Sequence, residues 1–162
     1  MVGSQEDIRK AKEYLNLAKE QLKERKQQFD EQIRIGIMIE IPAIALIADL
    51  AAEEVDFASI GSNDLTQYLS AADRMNPEVA AYYKSDSTAM LRLLGFVFRE
   101  FSKREKEISV CGEMAGNPET AQLLVGLGAR KLSMSSGNIA GVKAKLAECT
   151  LQELTALAEK KL

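Results

Sequence analysis

The sequence predicts an α/β fold with a parallel sheet, made of four strand–helix units and preceded by a helix. Three observations predict it. Short apolar runs alternate with longer stretches whose apolar residues recur every three or four positions, the βαβα order of a parallel sheet. The short runs are nearly continuous in apolar character, as in Ile37-Met38-Ile39, which suits strands covered on both faces. Each run ends in residues that can open a helix. A closed (β/α)8 barrel has eight such units in ~200 residues or more, so these 162 residues amount to about half of one. An open doubly wound sheet competes, but no glycine-rich phosphate loop follows the first strand.

The leading helix occupies most of residues 1–30. Ser4 and Asp7 make a capping-box signature, and Ile8, Ala11, Leu15, Ala18 and Leu22 recur at helical spacing before the pattern fades in Lys26–Gln32. Residues 35–162 hold the four units and a terminal helix. The strand Ile35–Ile41 runs into Pro42, a suitable first helical residue, and the helix Ala43–Glu54. The strand Val55–Ile60 ends at Gly61-Ser62-Asn63-Asp64, ahead of the helix Leu65–Ala72. After an irregular stretch comes a long helix, about Ala89–Lys106, and a third strand, Ile108–Cys111. Gly112-Glu113 follow, and Asn117-Pro118-Glu119 opens the next helix. Lys131–Met134 is the fourth strand, with a helix after it to about Ala147, and Thr150 with Glu153 caps the last helix.

With 46% hydrophobic and 28% charged residues the chain reads as one soluble globular domain. A net charge of −3 offers nothing to nucleic acid or an anionic membrane. The basic residues of Lys19–Lys26 are diluted by Glu20 and Glu24 and read as a solvated helix face. Met1 leads directly into a charged helix, so a signal peptide is not expected, and no apolar run nears the ~20 residues that span a bilayer. Cys111 and Cys149 suggest no disulfide framework, and a cytoplasmic protein with reduced thiols is expected. The chain has no histidine, so its chemistry proceeds without imidazole.

Barrel chemistry sits at the C-terminal ends of strands, which here carry Glu40, Asn63-Asp64, Cys111 with Glu113, and Ser133 with Ser135. A carboxylate such as Glu40, inside Ile37-Met38-Ile39-Glu40-Ile41-Pro42, needs a partner, either a cationic side chain or a metal ion. Asn63 and Asp64 suit helix capping equally well, although Asp64 and Glu40 on neighbouring strand ends could share one hard cation such as Mg²⁺. Arg74 could turn toward a phosphate or be a surface arginine. Cys111 taken alone suits a core cysteine.

The segments Gly36–Pro42, Phe57–Tyr68, Ala71–Asn76 and Cys111–Gly116 resemble, in order and spacing, successive signatures of enzyme I, the phosphoenolpyruvate–protein phosphotransferase of the bacterial sugar phosphotransferase system. Leu132-Ser133-Met134-Ser135 is similar to the last barrel strand of that family. The Asp73–Asn76 segment and the surroundings of Met114 favour enzyme I over two related readings, a pyruvate phosphate dikinase or a phosphoenolpyruvate synthase. The resemblance implies the C-terminal half of a phosphoenolpyruvate-binding (β/α)8 barrel. It implies that Glu40 and Asp64 hold Mg²⁺, that Asn63 and Arg74, with Asp64, bind the substrate, and that Cys111 protonates the enolate. It further implies as partners a phosphohistidine domain in the same protein and a small histidine-containing phosphocarrier protein.

The family's phosphohistidine domain and first barrel half have no counterpart in these residues, and the stretch before Leu91 reads Lys84-Ser85-Asp86-Ser87-Thr88 where the family is richer in proline, histidine and aromatic residues. The chain alone is therefore expected to be inactive. It is also expected to form a homodimer, because a half-barrel leaves two open edges and an inner face expected to be apolar. A degenerate, non-catalytic binding module is the alternative outside catalysis.

Overall fold

The computed structural model describes residues 1–162. The first helix, α1 (Gln5–Glu24), opens with the expected capping box, in which Ser4 accepts the Asp7 N–H and Asp7 accepts the Ser4 N–H. It ends before the expected fade, and Lys26 takes the left-handed conformation (φ 53°) that terminates helices. Of its residues only Ile8 is buried, so α1 lies on the body rather than in it.

The sheet consists of β1 (Gly36–Ile39), β2 (Phe57–Gly61), β3 (Glu107–Cys111) and β4 (Leu132–Ser133), in the order β1-β2-β3-β4 and parallel throughout. Each strand pairs with the next in sequence, so the order never reverses as it does at the switch point of a doubly wound sheet. Right-handed crossovers between sequential neighbours put the connecting helices on one face. On that face Ile37, Ile39, Ala58, Ile60 and Val110 are buried.

The expected helix Ala43–Glu54 is two helices, α2 (Pro42–Leu46) and α3 (Ala48–Glu54), broken at Ile47, whose ψ of 33° is not helical. Ala48, Ala51 and Ala52 on α3 are fully buried, and their small side chains let α3 pack closely against α1 and α5 (Thr88–Lys103). Helix α4 (Ser62–Ser70) follows β2 without a loop. A 3-10 turn, Pro77–Tyr82, then leads to α5, where the Ser87 hydroxyl accepts the Met90 N–H at 3.3 Å. Met90, Leu91, Leu94, Val97, Phe98 and Phe101 line its buried face, each side chain contributing about 1.5–3 kcal/mol by leaving water. A short helix, α6 (Glu113–Gly116), precedes α7 (Pro118–Leu127); α8 (Ser136–Ala147) and α9 (Leu151–Glu159) complete the chain. Thr150 and Glu153 form the expected capping box on α9.

The face of the sheet away from the helices differs from the expected apolar one. Its rows read Met38–Ser59–Ser109 and Gly61–Cys111–Ser133, small and polar apart from Met38. Near the N-terminal ends of the strands, charge takes over: Arg34 and Lys131 both reach Glu107, at 3.5 and 3.3 Å. Arg34 also stacks over Phe57. The Phe57 ring lies across Gly36, in space that a Cβ there would occupy.

Candidate functional site at the C-terminal edge of the sheet

Glu40 directly follows β1, whose last residue pairs with Ile60, so it stands beside Gly61 at the end of β2. Its Cβ lies 3.1 Å from where a Gly61 Cβ would be. Gly61 in turn pairs with Cys111, and Cys111 with Ser133. Glu40, Gly61, Cys111 and Ser133 therefore form one row across the C-terminal edge, the level at which parallel α/β sheets bind ligands.

Glu40 is half-buried and enters none of the chain's ion pairs, so the cationic-partner reading has no support within these residues. Asn63 and Asp64 do not cap α4. The N-cap is Gly61, with no side-chain cap bond, and both residues stand in the first helical turn. Asn63 instead reaches the neighbouring strand, its Oδ1 accepting the Glu113 N–H at 3.1 Å. With that oxygen engaged, the amide's NH₂ group is left as a donor. The unpaired backbone N–H groups and positive end of α4 open at the same edge, an arrangement that favours anions.

Helix α4 closes with Ala71 in the left-handed region (φ 50°), turning the chain back over its own first turns. The Arg74 N–H then donates to Gln67 Oε1 at 3.2 Å, and the guanidinium comes 3.8 Å from Asp64 Oδ1. Both side chains are about 42% exposed, so the pair is loose and well solvated, and Arg74 remains free to meet another anion.

Cys111 ends β3 half-buried, its thiol donating to the Ile60 carbonyl at 3.4 Å and lying 3.9 Å from Met38 Sδ. It borders an open cleft of about 400 Å³ together with Asn63, Glu113, Ser133, Ser135 and Asn138. Asn63 and Cys111 thus share one cleft, Asp64 and Arg74 face each other, and Glu40 stands two strands away from Cys111, with Gly61 between them. No point in the chain gathers three or more Cys, Asp or Glu side chains around a metal position. A cation drawing on Glu40 and Asp64 would complete its shell with water and substrate oxygens. Mg²⁺ is suited to that ligand set, since it accepts one or two carboxylates and keeps oxygen ligands elsewhere.

Sequence reasoning missed two residues. Ser62 is 1% exposed and donates its hydroxyl to the Cys111 carbonyl at 2.7 Å. Tyr83, from the irregular stretch, donates to the Asn63 carbonyl at 3.2 Å. Burial raises the phenol's pKa above its ordinary value; the Glu113 and Asp64 carboxylates raise it further, and Arg74 opposes them. The position of Ser62 beside Asn63 was the available signal for the first. Nothing in the sequence marked Tyr83 over Tyr82.

A singly wound parallel sheet with polar groups converging at its C-terminal edge defines an α/β protein of the class that carries its ligand sites at that edge. Residues 1–151 match the family described as PEP-utilising enzyme, PEP-binding domain, and the chain belongs to that family. Multiphosphoryl transfer protein 2 of Escherichia coli (strain K12) is 44% identical over 153 residues, 94% of this chain and 18% of that protein. The phosphoenolpyruvate-protein phosphotransferases of Priestia megaterium and Bacillus subtilis (strain 168) are each 40% identical, over 95% and 99% of this chain and 27% and 28% of their own lengths. The chain therefore spans less than a third of the relatives it matches. No helix is long and apolar enough to cross a membrane.

Proposed function

We propose that residues 1–162 form a single partial domain, the second half of a (β/α)8 barrel, and supply one side of the phosphoenolpyruvate site of a sugar-system phosphoenolpyruvate–protein phosphotransferase in the cytoplasm. The observation that carries the reading is the row Glu40–Gly61–Cys111–Ser133 across one sheet edge, with the facing pair Asp64–Arg74 on the adjoining α4 segment. The unreversed strand order supports the barrel, and membership of the PEP-binding domain family supports the ligand.

In this reading Glu40 and Asp64 would hold Mg²⁺, which would supply positive charge against the anionic substrate. Arg74 and the Asn63 NH₂ group bind the phosphoryl oxygens. Both offset charge in a loose transition state, where most of the catalysis of phosphoryl transfer lies. As the P–O bond breaks and a P–N bond forms to a histidine, the bridging electron pair stays on the enolate oxygen. The Cys111 thiol then gives its proton to the enolate methylene carbon, a C–H bond forms, pyruvate leaves, and the thiolate regains a proton from water.

The accepting histidine lies outside this chain, which has none. It belongs to a phosphohistidine domain of the same protein, which passes the group to a small histidine-containing phosphocarrier protein. Residues 1–162 alone are accordingly inactive. Their open β1 and β4 edges, rather than an apolar face, are the ground for self-association as a homodimer.

The test is Cys111→Ala in the full-length phosphotransferase. Pyruvate formation should fall by ~10²–10⁴, the usual contribution of a general acid, while Mg²⁺-dependent substrate binding persists. Pyruvate formation at the parental rate would return Cys111 to a packing role and remove the reading's central residue.

A further inference from the structure

We propose that Ser62 is a positioning residue for the Cys111 thiol, acting through a clamp between the β2–α4 junction and the β3–α6 turn. The inference rests on the reading of Cys111 as the proton donor and adds a residue to it. Ser62 is 1% exposed, and its hydroxyl donates to the Cys111 carbonyl at 2.7 Å from 49 residues away. The next residue, Asn63, accepts the Glu113 N–H at 3.1 Å. Two adjacent side chains from one strand end thus hold the backbone on both sides of Gly112.

Gly112 is the residue that makes the approach possible. Its φ of +102° lies where side-chain-bearing residues rarely go, and a Cβ there would stand 2.5 Å from Ser62 Oγ and 2.8 Å from Asn63 Oδ1. The thiol is held from the same strand, since Cys111 Sγ donates to the Ile60 carbonyl at 3.4 Å. A thiol is a weak donor and this contact is long, so it does not fix the rotamer unaided. The Ser62 hydrogen bond fixes the backbone from which the thiol hangs. Proton delivery to a carbon atom depends on sub-ångström placement, and a buried serine spent on that carbonyl supplies it.

Two measurements on Ser62→Ala test the clamp, with the fold checked by circular dichroism. In a Cys149→Ser background, which leaves one thiol, iodoacetamide should alkylate Cys111 about three- to tenfold faster, because reactivity follows access. In the full-length phosphotransferase, kcat for pyruvate formation should fall about tenfold, while KM for phosphoenolpyruvate stays within about twofold. A thiol that reacts faster with a probe yet serves turnover more slowly is the signature of lost positioning. Ser62→Thr keeps the hydroxyl and should hold both values near the parental ones; a threonine variant that behaves like alanine counts against the hydrogen bond as the cause. An unchanged alkylation rate in Ser62→Ala sinks the clamp alone. Faster alkylation with unchanged kcat overturns the link to turnover. Full activity of Cys111→Ala overturns the proton-donor reading itself, whatever the alkylation rates.

Discussion

The Tyr83 hydroxyl donates to the Asn63 carbonyl at 3.2 Å, tying the segment after α4 back onto that helix's first turn. The phenol is half-buried, and burial, with Glu113 and Asp64 nearby, holds its pKa above the ordinary 10.0. The folded chain therefore binds this proton more tightly than the unfolded chain does. Its contribution to stability is complete below the ordinary value and is lost as pH rises through the higher, folded one. In a spectrophotometric titration, the difference between the parent and Tyr83→Phe should show a phenol that ionises above the ordinary value. The same variant should cost about 0.5–1.5 kcal/mol of stability below that range, the net worth of one hydrogen bond. A difference curve centred at or below the ordinary value would show that Tyr83 is not held as described.

Gly112→Ala should be more costly. A methyl group would force Ser62 Oγ and Asn63 Oδ1 away from their backbone partners, and φ +102° with ψ −172° is a conformation open in practice only to glycine. We expect a loss of about 1–3 kcal/mol from backbone strain alone, read as a lower urea midpoint with an unchanged slope. Gly137, in the first turn of α8, is the contrasting site, since a Cβ there meets nothing within 4 Å. Gly137→Ala should stabilise the chain by about 0.4–1 kcal/mol, because alanine has less freedom to lose from the unfolded chain. Equal effects at the two positions would contradict the proposed geometry.

What was legible in the sequence is what short windows encode. The Ser4–Asp7 and Thr150–Glu153 capping boxes span three residues and appear as expected. The four βα units follow from apolar periodicity, and their strand ends point to Glu40, Asn63, Asp64 and Cys111. The break at Ile47 was hidden because Ala43–Glu54 contains no glycine or proline to mark one. The capping reading of Asn63 failed for a related reason. Its partner, Glu113, is 50 residues away, and a local reading assigns an asparagine beside a helix to the nearest N–H groups. Ser62 and Tyr83 were missed on the same ground, as their partners lie 49 and 20 residues away. The face away from the helices was expected to be apolar, as one that the other half of a barrel would cover; the alternation that puts Ser59, Ser109 and Ser133 on it shows only once the registers are known.

The two carboxylates proposed to hold Mg²⁺ make a prediction that separates a shared cation from two independent roles. Glu40 has no cationic partner in the chain, and Asp64 has only the loose, exposed contact with Arg74 at 3.8 Å. Neither is needed to satisfy a buried positive charge, so replacing either should leave the fold intact, with surface-like stability changes of about 0.5 kcal/mol or less. Binding should respond differently. In the full-length phosphotransferase, calorimetric titration with phosphoenolpyruvate and Mg²⁺ should show metal-dependent binding lost in Glu40→Ala and again in Asp64→Ala. The double variant should be little worse than either single one, because groups that hold one ion act as a unit and their losses do not add. Arg74→Lys should retain metal-dependent binding but weaken it, since an ammonium group cannot replace the two-point grip of a guanidinium on a phosphoryl group. Losses at Glu40 and Asp64 that sum in the double variant would mean that the two carboxylates do not share a cation.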